Sequence, residues 1–143
     1  MVNEQIISMW SFTRQRFLEK VEKIDEKDFS LSLNNVSIGD LIYHTADVEY
    51  IFMDWFFDKK IEHPFTKDDV TNKEKMIRFL NEANEAFIHV MQQTSENSWQ
   101  EVISSRMGEC TRAEAVARLI YHAGIHSGQM TDILKIAENE PSE

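Results

Sequence analysis

Hydrophobic residues recur along this chain at spacings of three and four in four separate stretches, the pattern of helices that each bury one face. In the first, Ile6, Met9, Trp10, Phe17, Val21 and Ile24 form a stripe broken by polar positions, which predicts a helix over about residues 3–24. A polar stretch, Asp25 to Asn35, follows as a loop. Ser37 then precedes Ile38-Gly39-Asp40, and a carboxylate three residues after a serine can complete a capping box, so a second helix starts there. Leu41, His44, Val48, Ile51, Phe52 and Trp55 share one face of it, and Phe56 and Phe57 end the pattern ahead of Pro64.

Thr71-Asn72-Lys73-Glu74 is a second capping-box pattern, opening a third helix whose stripe is Met76, Phe79, Leu80, Ala83, Phe87, Val90 and Met91. A third box, Thr111-Arg112-Ala113-Glu114, opens a long last helix that runs to about residue 138. Val116, Leu119, Ile120, Ala123, Met130, Ile133, Leu134 and Ala137 make its buried side. Between them, residues 94–110 admit either a short helical turn or a brief extended piece around Trp99, Val102 and Ile103. No repeat of fixed period is visible. The expectation is an all-α protein, a four-helix bundle in which residues 1–143 form a single domain.

Composition narrows the function classes. Four Gly and two Pro leave little turn material for a many-stranded sheet. The formal net charge is −10, with the basic residues scattered singly, which opposes binding to phosphate backbones or anionic lipid. No nucleic acid and no membrane are therefore expected as partners. Cys110 stands alone, so nothing calls for an oxidising compartment, and it reads as a bystander rather than a nucleophile. The first residues, MVNEQIISMWSF, lack the basic and apolar regions of a leader, and a cytoplasmic location is the default expectation.

The chemistry sits in three histidines. His122 and His126 are four apart on the last helix, so their rings stand one turn above the other and can grip one cation from one side. That face also carries Leu119, Gln129, Met130 and Ile133, and is read as pointing inward; His44 lies in the inward stripe of the second helix. Three buried imidazoles are costly unless each nitrogen has a partner, and one divalent ion supplies a partner for all three. Three nitrogen ligands leave a fourth position for water or substrate, as in catalytic zinc sites. The alternative for each ring is a histidine hydrogen-bonded within a core. Gln129, one turn from His126, and Asp47, three residues after His44, are the candidate orienting or basic groups; ordinary helix polarity is the bland reading of both. His63, beside Pro64 in a charged loop, reads as exposed and inert, and His89 as a surface residue.

The pairing of Val36-Ser37-Ile38-Gly39-Asp40-Leu41-Ile42-Tyr43-His44 with Leu119-Ile120-Tyr121-His122-Ala123-Gly124-Ile125-His126-Ser127-Gly128-Gln129 resembles the DinB/YfiT-like family, a group associated with metal-dependent enzymes. The resemblance spans essentially the whole chain, including helix order and the closing His-x-x-x-His-x-Gly-Gln element. It implies that His44, His122 and His126 hold a divalent metal ion, zinc or nickel. It further implies a small-molecule substrate and a low-molecular-weight thiol, in a thiol-dependent S-transferase or a hydrolase, with a homodimer as the assembly. A non-catalytic metal- or ligand-binding stress-response protein is the alternative. Ser127 stands where many relatives carry a basic residue, a departure at a position that bears on substrate contact.

Overall fold

The computed structural model describes residues 1–139. Four helices carry the fold: α1 (Val2–Lys23), α2 (Ile38–Phe57), α3 (Lys73–Gln92) and α4 (Arg112–Asn139). Helix α1 packs on α3 and α4, and α2 packs on the same two, so α1 and α2 face each other across the bundle's diagonal. Each helix turns its apolar stripe to a shared core in which Trp10, Trp99, Phe29, Phe56, Phe79 and Phe87 are fully buried. Both buried tryptophans keep their polar edge satisfied: Trp10 Nε1 donates to Asn84 Oδ1 (2.9 Å) and Trp99 Nε1 to Asn3 Oδ1 (2.7 Å). Met9, expected in the α1 stripe, is instead 59 % exposed, because it lies at the margin of a stripe that Ile6, Trp10 and Phe17 define.

Helix starts follow local hydrogen bonding. Ser37 and Asp40 form the expected reciprocal box, at 3.0 Å and 2.9 Å. Thr111 and Glu114 do the same at α4, at 2.8 Å and 3.0 Å. The α3 start differs from expectation by one residue. Asn72, not Thr71, is the cap, its side chain accepting from the Lys75 N–H at 2.9 Å.

The stretches read as loop or left open contain small ribbons. A 3-10 turn over Glu26–Ser30 leads into β1 (Ser32–Leu33) and β2 (Val36–Ser37), an antiparallel pair. Asn34 and Asn35 both take positive φ, +54° and +65°, the left-handed backbone that a two-residue hairpin turn requires and that asparagine tolerates. Another 3-10 turn, over Glu96–Gln100, leads into β3 (Val102–Ser105) and β4 (Gly108–Thr111), so residues 94–110 hold both of the structures considered for them.

The element order helix, 3-10 turn, ribbon, helix thus occurs twice, and each second helix carries Leu-Ile-Tyr-His, at 41–44 and 119–122. From the cap to that tetrapeptide is about one helical turn longer in α4 than in α2, which is why no fixed period shows in the sequence. Where α2 begins, the chain after it passes so close that a Cβ on Gly39 would lie 2.1 Å from the Val70 carbonyl oxygen. Only glycine fits there. Among the described residues no helix is long and apolar enough to cross a membrane.

Candidate metal centre

Helices α2 and α4 pack together, and the Leu-Ile-Tyr-His segment of each brings a histidine to their seam. His44, His122 and His126 converge there, each offering a ring nitrogen, with the three nitrogens within 4.8 Å of one another. Ring centroids are 4.2 Å apart for His122 and His126, 4.9 Å for His44 and His122, and 5.3 Å for His44 and His126. The rings do not point into the core as expected. His44 is exposed and the other two are half-buried, because the seam they share opens into a pocket rather than into the packed interior.

That pocket has a volume of about 650 Å³ and includes His44 and His126 in its wall. Leu33, Val36, Leu41 and Ile133 form its apolar side, Lys67 its cationic point, and Asp40, Asp47 and Asp132 its acidic points. The β1–β2 turn therefore has a direct part in the site: its two left-handed asparagines place Leu33, Asn34 and Val36 against the pocket.

Hydrogen bonding sets the donor atoms. His126 Nδ1 lies 2.6 Å from Gln129 Oε1, an acceptor, so Nδ1 carries the proton and Nε2 presents a bare lone pair. The His126 and His122 Nε2 atoms are 2.9 Å apart. Zinc–nitrogen bonds of about 2.0–2.1 Å at a tetrahedral angle put paired ligand nitrogens roughly 3.3 Å apart, so small ring rotations bring this set onto one ion. Burial, followed by the neighbouring rings of His126 and His44, pushes His122 down to about 4. His44, although exposed overall, is lowered as well, first by partial desolvation of its ring and then by His126, with Asp47 pulling the other way and Lys67 adding the smallest push. Neutral imidazole is the form that binds a metal. The residues present fit a divalent cation.

The His122 shift makes a pH prediction for the protein stripped with a chelator. Between the ordinary value of 6.5 and about 4, an unfolded chain has His122 protonated while the folded chain keeps it neutral. The unfolded state then binds more protons, so stability rises with pH through this window and falls as pH drops. Thermal melts from pH 7 to 5 should show that fall, with a shallower slope in His122→Gln; parallel slopes would contradict it.

A profile of the DinB family matches residues 1–141. The chain belongs to the DinB family. Its fold is shared with a DinB-like protein from Bacillus cereus ATCC 10987, at a TM-score of 0.77 and 15% identity over 98% of this chain and 96% of that one. A DinB-like protein from Bacillus subtilis, YjoA, gives a TM-score of 0.72 at 16% identity, covering 97% and 96%. No curated protein matches the chain in sequence.

Within this DinB bundle the remaining candidates are placed as follows. Gln129 is exposed and lines the pocket through its bond to His126. Asp47 also lines the pocket but is tied elsewhere, its Oδ1 lying 2.9 Å from His63 Nε2. His63 is therefore not exposed as expected: its side chain is 13 % exposed and sits against Phe79 and Tyr50, at 4.4 Å and 4.8 Å between ring centres. The charged residues around it in sequence concealed this, since the loop folds back onto α2 and α3. His89 is on the surface, and Cys110 is buried in β4. At Ser127 the nearby cation comes from α1, where the Lys20 ammonium donates to the Ser127 carbonyl at 2.6 Å and to the Thr131 hydroxyl.

Proposed function

We propose that this DinB-family protein is a divalent-metal-dependent enzyme that holds zinc or nickel through His44, His122 and His126. In this reading it acts on a small-molecule substrate with a low-molecular-weight thiol, as an S-transferase. The observation that carries it is the convergence of three ring nitrogens within 4.8 Å at the wall of an open pocket. A closed structural zinc site takes four protein ligands, whereas three beside a pocket leave a position for an exchangeable one. The resemblance in the two histidine segments supports the thiol; the donor set alone is equally suited to water, and so to hydrolysis.

The bound ion would lower the pKa of a thiol or water coordinated to it. Everything else falls to the chain. Gln129 holds the His126 ring with Nε2 free. Leu33, Val36, Leu41 and Ile133 exclude water from one side of the pocket, which strengthens each charge interaction inside it. Lys67 offers an ammonium to an anionic group of the substrate.

Elemental analysis of protein purified without a nickel column tests the first step. About one equivalent of zinc or nickel is expected, and protein that takes up neither metal on incubation would overturn the reading. Loaded protein should then consume a small thiol in the presence of an electrophile. Metal without any thiol binding or turnover would favour the non-catalytic binding protein instead.

A further inference from the structure

His63 and Asp47 form a pair that the histidine site does not account for. Asp47 is on α2, one turn beyond His44, and its carboxylate is 31 % exposed at the pocket wall. His63 comes from the segment between α2 and α3, does not line the pocket, and sits within an aromatic enclosure. Phe79 and Tyr50 flank the ring closely, with Phe65 and Tyr43 each 6.3 Å away. Its Nδ1 is buried and has no hydrogen-bond partner among the described residues.

That bare nitrogen identifies the form of the ring. A buried N–H without an acceptor costs about 1–3 kcal/mol, and a cationic ring would have one at Nδ1. The neutral tautomer with the proton on Nε2 has none, and its single N–H donates to Asp47 Oδ1. One carboxylate oxygen is thereby fixed, in a residue that lines the pocket. Four aromatic rings thus surround a histidine whose one hydrogen bond goes to a carboxylate at the pocket. The enclosure makes sense as a rigid mount for a donor.

We propose that Asp47 accepts the hydrogen of the thiol or water that enters the pocket, and that His63 is the positioning residue that aims it. This rests on the metal reading above. In the step, the S–H or O–H bond of the incoming molecule breaks, its electron pair stays on sulfur or oxygen, and an O–H bond forms on the Asp47 oxygen that does not accept from His63. His63 keeps its own proton throughout and acts only through Asp47.

The test uses cobalt(II)-loaded full-length protein titrated with 2-mercaptoethanol, read by the thiolate-to-cobalt absorption. Asp47→Asn and His63→Phe should each weaken thiol binding about tenfold, with no further loss when combined, while cobalt affinity is unchanged. His63→Gln, which restores a donor, should recover most of it. A merely structural His63 predicts the reverse order, since Phe fits the aromatic enclosure and Gln does not. On protein without added metal, nitrogen NMR should show His63 protonated at Nε2, and that proton's shift should move in Asp47→Asn. Normal cobalt binding with wild-type thiol affinity in His63→Phe overturns the assignment alone. Failure of the wild type to bind cobalt overturns the metal reading together with it.

Discussion

Replacing His126 by alanine is expected to strip the metal from the protein while leaving the bundle folded. Four-ligand zinc sites in small peptides are worth roughly 10–16 kcal/mol, or about 3 kcal/mol for each ligand. Losing one of three nitrogens should therefore weaken binding on the order of 100-fold, and dialysis should then empty the site. His126 is half-buried at a pocket wall, so its removal opens no cavity in the core. Melts of chelator-treated wild type and mutant should nearly coincide, and only the wild type should gain stability when zinc is added. Gln129→Leu should show the same effect more weakly, about tenfold, because it removes the acceptor that fixes the His126 tautomer and no ligand. Full retention of metal in His126→Ala would move the site elsewhere. A collapse of the chelated mutant would make the ring a structural part of the bundle.

How much of this was legible in the sequence depends on the range of the interaction involved. Helix spans and two of the three capping boxes are local, set within three or four residues, and the stripes of α1 to α4 stand close to where periodicity puts them. The Asn72 cap is not separable from Thr71 in the sequence, because both are good caps and neighbours; in the structure Lys73, the next residue, is held by Glu26, Glu22 and Ile24 from distant parts of the chain. The four-residue spacing of His122 and His126 was readable, but not the depth at which they lie. Periodicity says which way a side chain faces around its helix, not whether the seam it faces is filled or open. His63 was illegible for a different reason: its partners Asp47, Tyr50 and Phe79 belong to two helices, and only chain return brings them together.

Two charges set within apolar stripes mark the largest expected loss of stability. Arg14 is four residues after Trp10 and three before Phe17, and Glu49 follows Val48 and precedes Phe52, so both charges occupy apolar stripes. In the structure they meet in the core, 2 % and 1 % exposed. Arg14 Nε donates to Glu49 Oε2 at 2.7 Å, and Nη2 donates to Glu49 Oε1 at 3.1 Å and to the Leu80 carbonyl at 2.8 Å. One guanidinium thus joins α1, α2 and α3. Burial pushes the Glu49 carboxyl up, and the charge and hydrogen bonds of Arg14 hold it down. Arg14→Met removes that restraint and leaves a carboxyl in the core with no partner. The expected cost is about 3–5 kcal/mol, a fall in Tm of about 10–15 °C at roughly 3 °C per kcal/mol for a chain of this size. Arg14→Met combined with Glu49→Leu should recover most of it, since a matched apolar pair satisfies the same volume without charge. Neither residue lines the pocket, so the double mutant should bind metal as the wild type does. A single mutant within 1 kcal/mol of wild type would mean that water reaches Glu49. A double mutant that stays unstable, or that folds but loses metal, would mean that the pair sets the register of α2 and so the position of His44.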